Sequence, residues 1–366
     1  MPINDLGYRP WKGKLQGPFA RTRSIAEFGI KLAGKSRWLR RILIVAWLPV
    51  LYWGIAFFFV GQSLEQPAGS NLPEQAQGIA GDLEEIVEEL TGKDVQSDQS
   101  VLEINREQAA NRIENMFGRL PRVRMLTDSI RNSQDDVEAR NRIWSWLLMT
   151  FFRYSQAVLI LMIVGFVTPS LISQDLRSRA YLLYFSRPIG KLEYIFGKLA
   201  IPAAYIMFVS TFPALILYFF AIMMSPSADV FWTTWDIPLR IIISSVTLIV
   251  PTACLALMLS SLTEESRYAS FAWFAVWILG HGAWMSITAG EAIRLGTGAR
   301  DPAVAESLMV KQWSSLSIYN NLGDVQTWIF GFQSFTDIWP AFAVLSAITV
   351  VSILILLRRV AAPLRA

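Results

Sequence analysis

Residues 42–60, ILIVAWLPVLYWGIAFFFV, decide the fold class of this chain of 366 residues. The run contains no charged side chain, and a helix needs about 20 mostly apolar residues to cross the hydrocarbon core of a bilayer. Five similar runs follow at 154–173, 199–224, 241–260, 269–289 and 341–357. The sequence therefore predicts an all-α membrane protein with six transmembrane helices.

The overall composition indicates the same fold class. Hydrophobic residues make up 53% of the chain and charged residues 17%, whereas soluble domains carry roughly 25% charged residues. These values exclude an ordinary soluble protein and a disordered chain. Cys254 is the only cysteine and His281 the only histidine. The chain therefore forms no intramolecular disulfide, and most zinc or triad chemistry that needs several imidazoles is excluded.

The charges alternate in sign from one connecting segment to the next. Residues 1–41 hold ten Lys or Arg and two acids, residues 174–198 hold five and two, and the tail after 357 holds three arginines and no acid. Residues 62–142 hold nine Lys or Arg and sixteen acids, and residues 290–340 hold three and five. Since Lys and Arg near a membrane favour the cytoplasmic side, we expect both termini on the cytoplasmic side of the membrane.

These features divide the chain into four parts. Residues 1–41 form a cytoplasmic segment, residues 42–61 the first transmembrane helix, residues 62–142 an extracytoplasmic insertion, and residues 143–366 a core with the other five helices. Within the first part, apolar residues at 19–40 alternate with cations, which predicts an amphipathic helix on the membrane surface.

The two outside segments differ in pattern. Apolar residues at helical spacing predict three helices in the insertion, near 79–90, 99–118 and 123–142. They would form a small helical hairpin packed on itself or on a partner, or a solvated cap without a ligand. The third helix can continue into the second span. The loop 290–340 mixes glycines with aromatic residues, and we expect it to dip into the membrane interface.

One short motif suggests nucleotide binding. Residues from Gly29 to Ser36, GIKLAGKS, match the P-loop pattern, which requires a preceding strand, a following helix and a loop that wraps a phosphate. The neighbouring residues predict a helix followed directly by a transmembrane span. We therefore interpret the match as coincidental and expect no ATPase activity, bound cofactor or metal site in this chain.

Two ionisable side chains lie inside predicted spans. His281 lies in the fifth span and Arg153 at the outer end of the second. Intramembrane ionisable residues are candidates for function. The alternatives are a neutral histidine packed against a neighbouring helix and an arginine that extends to the lipid headgroups.

The most informative segment is 172–198, ISQDLRSRAYLLYFSRPIGKLEYIFGK. Its first half is amphipathic, and Pro188 ends that element because the residue before a proline avoids helical geometry. The second half leads into the third span. We expect a helix, a proline turn and a second helix that are charged enough to face the cytoplasm and apolar enough to bind a partner.

This segment resembles the permease subunits of type-2 ABC exporters, the ABC-2 family. Those chains carry an acidic and basic run after the second span, a Ser-Arg-Pro turn, and a Tyr-x-x-Gly-Lys motif that begins the third span. The matching positions here are Asp175, Arg177, Ser186, Arg187, Pro188, Tyr194, Gly197 and Lys198. Within the family, the chain most resembles the permeases related to multicopper-enzyme maturation and gliding.

The resemblance implies a partner and a set of coupling residues. A separate ABC ATPase subunit would carry ATP and Mg²⁺, and two permeases, identical or homologous, would pair with two ATPases in the lipid bilayer, with no nucleic acid involved. The residues that would contact the ATPase are Asp175, Arg177, Arg179, Tyr181, Leu183, Phe185, Ser186, Arg187, Pro188, Tyr194, Gly197 and Lys198. Their physical basis is a buried aromatic anchor with a charged rim.

Other classes of membrane protein remain as alternatives at this stage. A secondary transporter or channel normally shows inverted repeats or intramembrane charges, and an intramembrane enzyme needs paired polar residues at depth. A scaffold or anchor is compatible with the outside helices. The sequence leaves lipid-like, polysaccharide, peptide and drug substrates open.

Overall fold

The computed structural model describes residues 17–65, 110–111, 114, 123–133, 136–180, 189–225, 230–294 and 313–361. Within these ranges the chain forms helices and turns and no β-strand. The all-α prediction is therefore confirmed.

Within the described residues, the first half of the chain contains seven α-helices. They are α1 (Pro18–Gly34), α2 (Arg37–Val45), α3 (Leu48–Glu65), α4 (Val123–Arg131), α5 (Asp136–Thr150), α6 (Ala157–Val167) and α7 (Pro169–Arg177). A π-helical turn, Phe151–Gln156, joins α5 to α6 without a break. The helix predicted at 123–142 is therefore two helices, and the second of them continues into the membrane-spanning part. The other two helices predicted in the insertion lie outside the described residues, apart from a few positions.

The described residues of the second half form seven further α-helices. They are α8 (Lys191–Ile206), α9 (Phe212–Met223), α10 (Val230–Thr233), α11 (Asp236–Ser261), α12 (Ser266–Arg294), α13 (Ile318–Ile329) and α14 (Phe335–Ala361). A second π-helical turn, Met207–Thr211, joins α8 to α9. Pro213 follows this turn, and a proline lacks the N–H and crowds the carbonyl group four residues earlier. The wider π turn accommodates both effects.

In the described part of the chain, six segments are long and apolar enough to cross a membrane, which confirms the predicted number. They are Arg37–Phe58, Ala157–Arg177, Lys191–Met223, Asp236–Ser261, Ser266–Gly290 and Phe335–Val360. The third segment has 33 residues, or about 50 Å of helix at 1.5 Å per residue. Since the hydrocarbon core is about 30 Å thick, a large part of this helix extends beyond it.

The three basic segments meet at one end of the helix bundle, here named the basic end. One cluster of buried side chains joins α2, α7, α8 and the last turns of α14. Its members include Leu39, Leu171, Tyr194, Leu356 and Val360. The opposite end is held by a second cluster from α3, α4, α5 and α9, which includes Trp53, Leu126, Trp146 and Tyr218. The predicted alternation of basic and acidic segments therefore agrees with the packing.

Six of the eight residues of the P-loop match are helical. Gly29 to Gly34 lie in the second half of α1, and Ser36 caps α2 by accepting a hydrogen bond from the Leu39 N–H. A P-loop needs a wrapped loop after a strand. The local geometry is therefore not that of a phosphate-binding loop.

Candidate functional site

A buried ion pair joins the two halves of the predicted coupling segment at the basic end. Lys198 Nζ on α8 lies 2.7 Å from Asp175 Oδ2 on α7. The Tyr194 hydroxyl donates to the same carboxylate oxygen at 2.7 Å, and Lys198 also donates to the Leu171 carbonyl at 2.8 Å. The side chains of Lys198 and Asp175 are only 9% and 15% exposed. This arrangement fixes the end of the second span to the start of the third.

Gly197 allows α1 to pack closely against α8. A Cβ atom at this position would lie 2.8 Å from the Ile25 Cβ and 3.2 Å from the Thr22 carbonyl oxygen. The same helix pair is joined by an ion pair between Arg21 and Glu193 at 3.4 Å. Further along, a Cβ at Gly29 would collide with Ile201. Helix α1 therefore runs lengthwise beside the first turns of α8, and its position on a membrane surface stays a prediction.

Helix α7 ends in a turn that normally favours glycine. The Arg179 N–H donates to the Leu176 carbonyl at 3.2 Å, and the Ala180 N–H donates to the Asp175 carbonyl at 2.9 Å. This pattern is a Schellman motif, in which the residue at the Arg179 position has a positive φ. Arg179 has φ 55° and an exposed side chain. An exposed cation therefore occupies a position where L side chains cost about 1–2 kcal/mol.

Two further contacts tie α7 to the fourth and fifth spans. The Ile172 and Ser173 N–H groups both donate to Ser260 Oγ on α11 at 3.1 Å, and Ser260 Oγ donates to the Pro169 carbonyl at 2.7 Å. Arg177 Nη1 lies 3.4 Å from Glu265 Oε1 in the α11–α12 connection. Sequence reasoning missed Ser260, because a serine in an apolar span gives no sign of its partner. A displacement of α7 would therefore be transmitted to the third, fourth and fifth spans.

Half of the predicted coupling residues can be placed. Asp175, Tyr194 and Lys198 come together, Gly197 faces α1, and Arg177 and Arg179 lie on the exposed side of α7 and its end. The other six lie outside the described residues, and they are Tyr181, Leu183, Phe185, Ser186, Arg187 and Pro188.

Comparison with protein families identifies this architecture. The family model described as ABC-2 family transporter protein matches residues 33–361. The chain belongs to the ABC-2 transporter family. No curated protein matches the sequence significantly. The match covers the permease core and the coupling segment of this ABC-2 protein, and the narrower subgroup stays a prediction.

The ABC-2 protein also has a polar cluster at the opposite end of the bundle, on α13. Arg153, in the π-helical turn of the second span, is buried and lies 3.5 Å from Asp324 Oδ1 on α13. Its guanidinium carbon lies 5.7 Å from the centre of the Tyr319 ring. His281, from the fifth span, makes an edge contact with the same tyrosine, and its Nδ1 lies 3.3 Å from Ser317 Oγ. The two intramembrane candidates therefore converge on one short helix.

This geometry resolves one of the alternatives for Arg153. Its guanidinium packs over Gly323, where a Cβ would overlap it, so the side chain does not extend to lipid headgroups. Helix α13 belongs to the loop 290–340 and is almost fully buried between α11, α12 and α14. Because the helix carries polar residues, including Asn320 and Gln326, the sequence did not indicate that it is buried. In the described ranges, no three His, Cys, Asp or Glu side chains are grouped as metal ligands.

Proposed function

We propose that this ABC-2 permease is driven by a separate ABC ATPase subunit that docks at the basic end. The docking surface comprises the exposed end of α7 and the connection to α8, with α1 beside it. The basic end faces the cytoplasm, as do both termini, and the chain resides in a bacterial plasma membrane. This orientation follows from the positive charge of the three segments that meet there.

The observation that carries this proposal is the buried pair of Asp175 and Lys198. Truncating one partner of a buried ion pair is strongly destabilising, so the pair behaves as a rigid joint between α7 and α8. Closure of two ATPase subunits on ATP would push on α7. The joint would transmit that push to the third span, and Ser260 would transmit it to the fourth.

The choice of residue at the end of α7 supports the same role. Glycine would relieve the backbone strain at position 179, yet the sequence keeps an exposed arginine there. Retained strain of this kind is typical of functional positions. We assign Arg179 to the rim of the docking surface, where it pairs with an acidic residue of the ATPase. Tyr181, Leu183 and Phe185 supply the apolar centre of that surface, as their sequence suggests.

The chain itself hydrolyses no nucleotide in this proposal. ATP and Mg²⁺ bind to the ATPase subunit, since the P-loop match of this chain is helical. The working unit contains two permeases, each a copy of this chain or a homologous one. The first, fifth and sixth spans keep most of their apolar surface uncovered, which leaves room for the second permease. The exported substrate is not specified by any contact described above.

The test is co-purification from native membranes followed by an ATPase assay. A tagged wild-type chain should bring down a P-loop protein and magnesium-dependent ATP hydrolysis. Arg179→Glu should lower both by tenfold or more, because it reverses a rim charge without touching the bundle. Arg359→Glu is the matched control, since Arg359 is exposed near the same end, and it should retain the partner.

A second variant addresses the part of the segment with the apolar anchor. Phe185→Ala combined with Arg187→Glu should also lose the partner while the permease still elutes as a monodisperse protein. Full recovery of the ATPase by both this variant and Arg179→Glu would contradict docking at this surface.

A further inference from the structure

A groove at the basic end opens beside the ion pair of Asp175 and Lys198. It lies between α1 on one side and α2, α6 and α7 on the other, and it has a volume of about 680 Å³. Small-molecule sites usually occupy about 300–1,000 Å³. The groove is therefore large enough for an extended ligand and is partly open to the surroundings of the bundle.

The walls and the floor of this groove differ in character. The walls are apolar and include Phe28, Leu32, Trp38 and Phe166, all of which are more than half exposed. The floor is polar and carries the ion pair of Asp175 and Lys198. The close contact of α1 with α8 leaves the Phe28 side of α1 facing α6 across the gap. The groove thus suits a molecule with both an apolar chain and a polar head.

Four cations flank the residues that line the Ser36 end of the groove. Ser36 lines the groove, and Lys35, Arg37, Arg40 and Arg41 surround it in sequence with exposed side chains. In the part of the chain that the structure describes, none of these four cations forms an ion pair with a carboxylate. The Arg41 guanidinium instead lies 5.5 Å from the centre of the Trp38 ring. Trp38 lines the groove, so Arg41 lies beside the groove wall, and each of the other three cations is adjacent in sequence to a lining residue.

We propose that this groove binds an anionic phospholipid of the surrounding leaflet as a resident ligand. One acyl chain lies between Phe28 and Phe166, and the phosphate lies at the Ser36 end among the four cations. Basic pockets beside transmembrane helices bind anionic head groups in this way. The lipid would wedge α1 against the second span, so it would hold the docking surface in shape.

Binding can be measured on the permease alone, independently of the proposed ATPase. The purified full chain is titrated in detergent with phosphatidylglycerol or with phosphatidylcholine of identical acyl chains, and bound lipid is counted by native mass spectrometry. Phosphatidylglycerol should bind at least tenfold more tightly. The double variant Lys35→Gln with Arg37→Gln should weaken it by about 30-fold, the ratio expected for two cations at an anionic head group.

Two controls locate the site. The double variant Arg358→Gln with Arg359→Gln removes two positive charges that are also near the basic end. It should leave the affinity for phosphatidylglycerol unchanged. Ser170→Phe places a ring in the groove, which Ser170 lines, and should weaken both lipids. Equal binding of the two lipids, equal losses in the two double variants, or unchanged binding by Ser170→Phe in a folded chain would overturn the proposal. Release of the lipid during ATP turnover by the complete transporter would show a cargo instead of a resident ligand, and would also overturn it.

Discussion

Replacement of Asp175 by asparagine tests the rigid joint between α7 and α8. The Asp175 carboxylate accepts two hydrogen bonds of 2.7 Å through one oxygen, from Tyr194 and Lys198. Asparagine keeps the shape but leaves a largely buried ammonium group without its counter-ion. Loss of one partner from a buried pair costs about 3–5 kcal/mol. We expect a loss near the lower end, about 3 kcal/mol, because Lys198 keeps its hydrogen bond to the Leu171 carbonyl.

The assay is reversible unfolding in mixed micelles titrated with SDS, followed by tryptophan fluorescence. The double variant Asp175→Asn with Lys198→Gln should lose less than the sum of the two single losses, with a coupling energy of about 1–3 kcal/mol. Strict additivity would refute the joint, because it would show that the two side chains do not stabilise each other.

An exposed ion pair in the same chain provides a matched control. Glu27 and Lys31 on α1 are also separated by 2.7 Å, but their side chains are 54% and 71% exposed. The hydrogen bond from Lys31 lowers the pKa of the Glu27 carboxyl below its ordinary value. Solvent nevertheless screens such pairs, so Glu27→Gln should leave the free energy of unfolding unchanged. A loss as large as that of Asp175→Asn would show that burial is not the cause.

Three further predictions concern other contacts. Gly197→Leu should separate α1 from α8 and speed trypsin cleavage of α1, whereas Gly282→Leu, at a helical glycine with open space around its Cβ position, should not. Equal cleavage rates would contradict the close approach. Arg153→Gln should cost about 3 kcal/mol in the SDS assay, because the buried Asp324 carboxylate would lose the cation beside it, and a neutral effect would show that the pair does not hold α13. Arg179→Gly should raise the stability of the turn by about 1 kcal/mol and yet reduce recovery of the ATPase. Destabilisation by glycine would contradict the strained turn.

The sequence predicted the parts of the fold that depend on composition and charge. The six apolar runs predicted the number of spans. The alternating charge of the segments between them predicted that the basic segments lie at the same end of the bundle. The resemblance also selected Asp175, Tyr194 and Lys198, which the structure brings into one network. It did not predict that Gly197 lies at the contact with α1, because a glycine in a sequence does not indicate which helix packs against it.

The polar cluster on α13 shows why other contacts could not be predicted from the sequence. Helix α13 buries Asn320, Asp324 and Gln326, whereas the sequence of 290–340 predicted a loop that dips into the membrane interface. Its burial depends on Arg153, which is distant in sequence and presented by a π-helical turn. No proline explains that turn, so local sequence rules gave no signal for it. Contacts such as that between Arg153 and α13 are determined by tertiary packing, which the periodicity of apolar residues in the sequence does not reveal.

The most direct test of the central claim is site-specific photo-crosslinking in native membranes. A photoreactive residue in place of Ser178, which is exposed next to Arg179, should crosslink to a P-loop ATPase, in a yield that changes when ATP is replaced by vanadate-trapped nucleotide. The same residue in place of Trp232, exposed near the start of the fourth span at the opposite end, should give no such product. An absence of any ATPase crosslink at position 178, or an equal yield at both positions, would contradict the docking of the ATPase at the basic end.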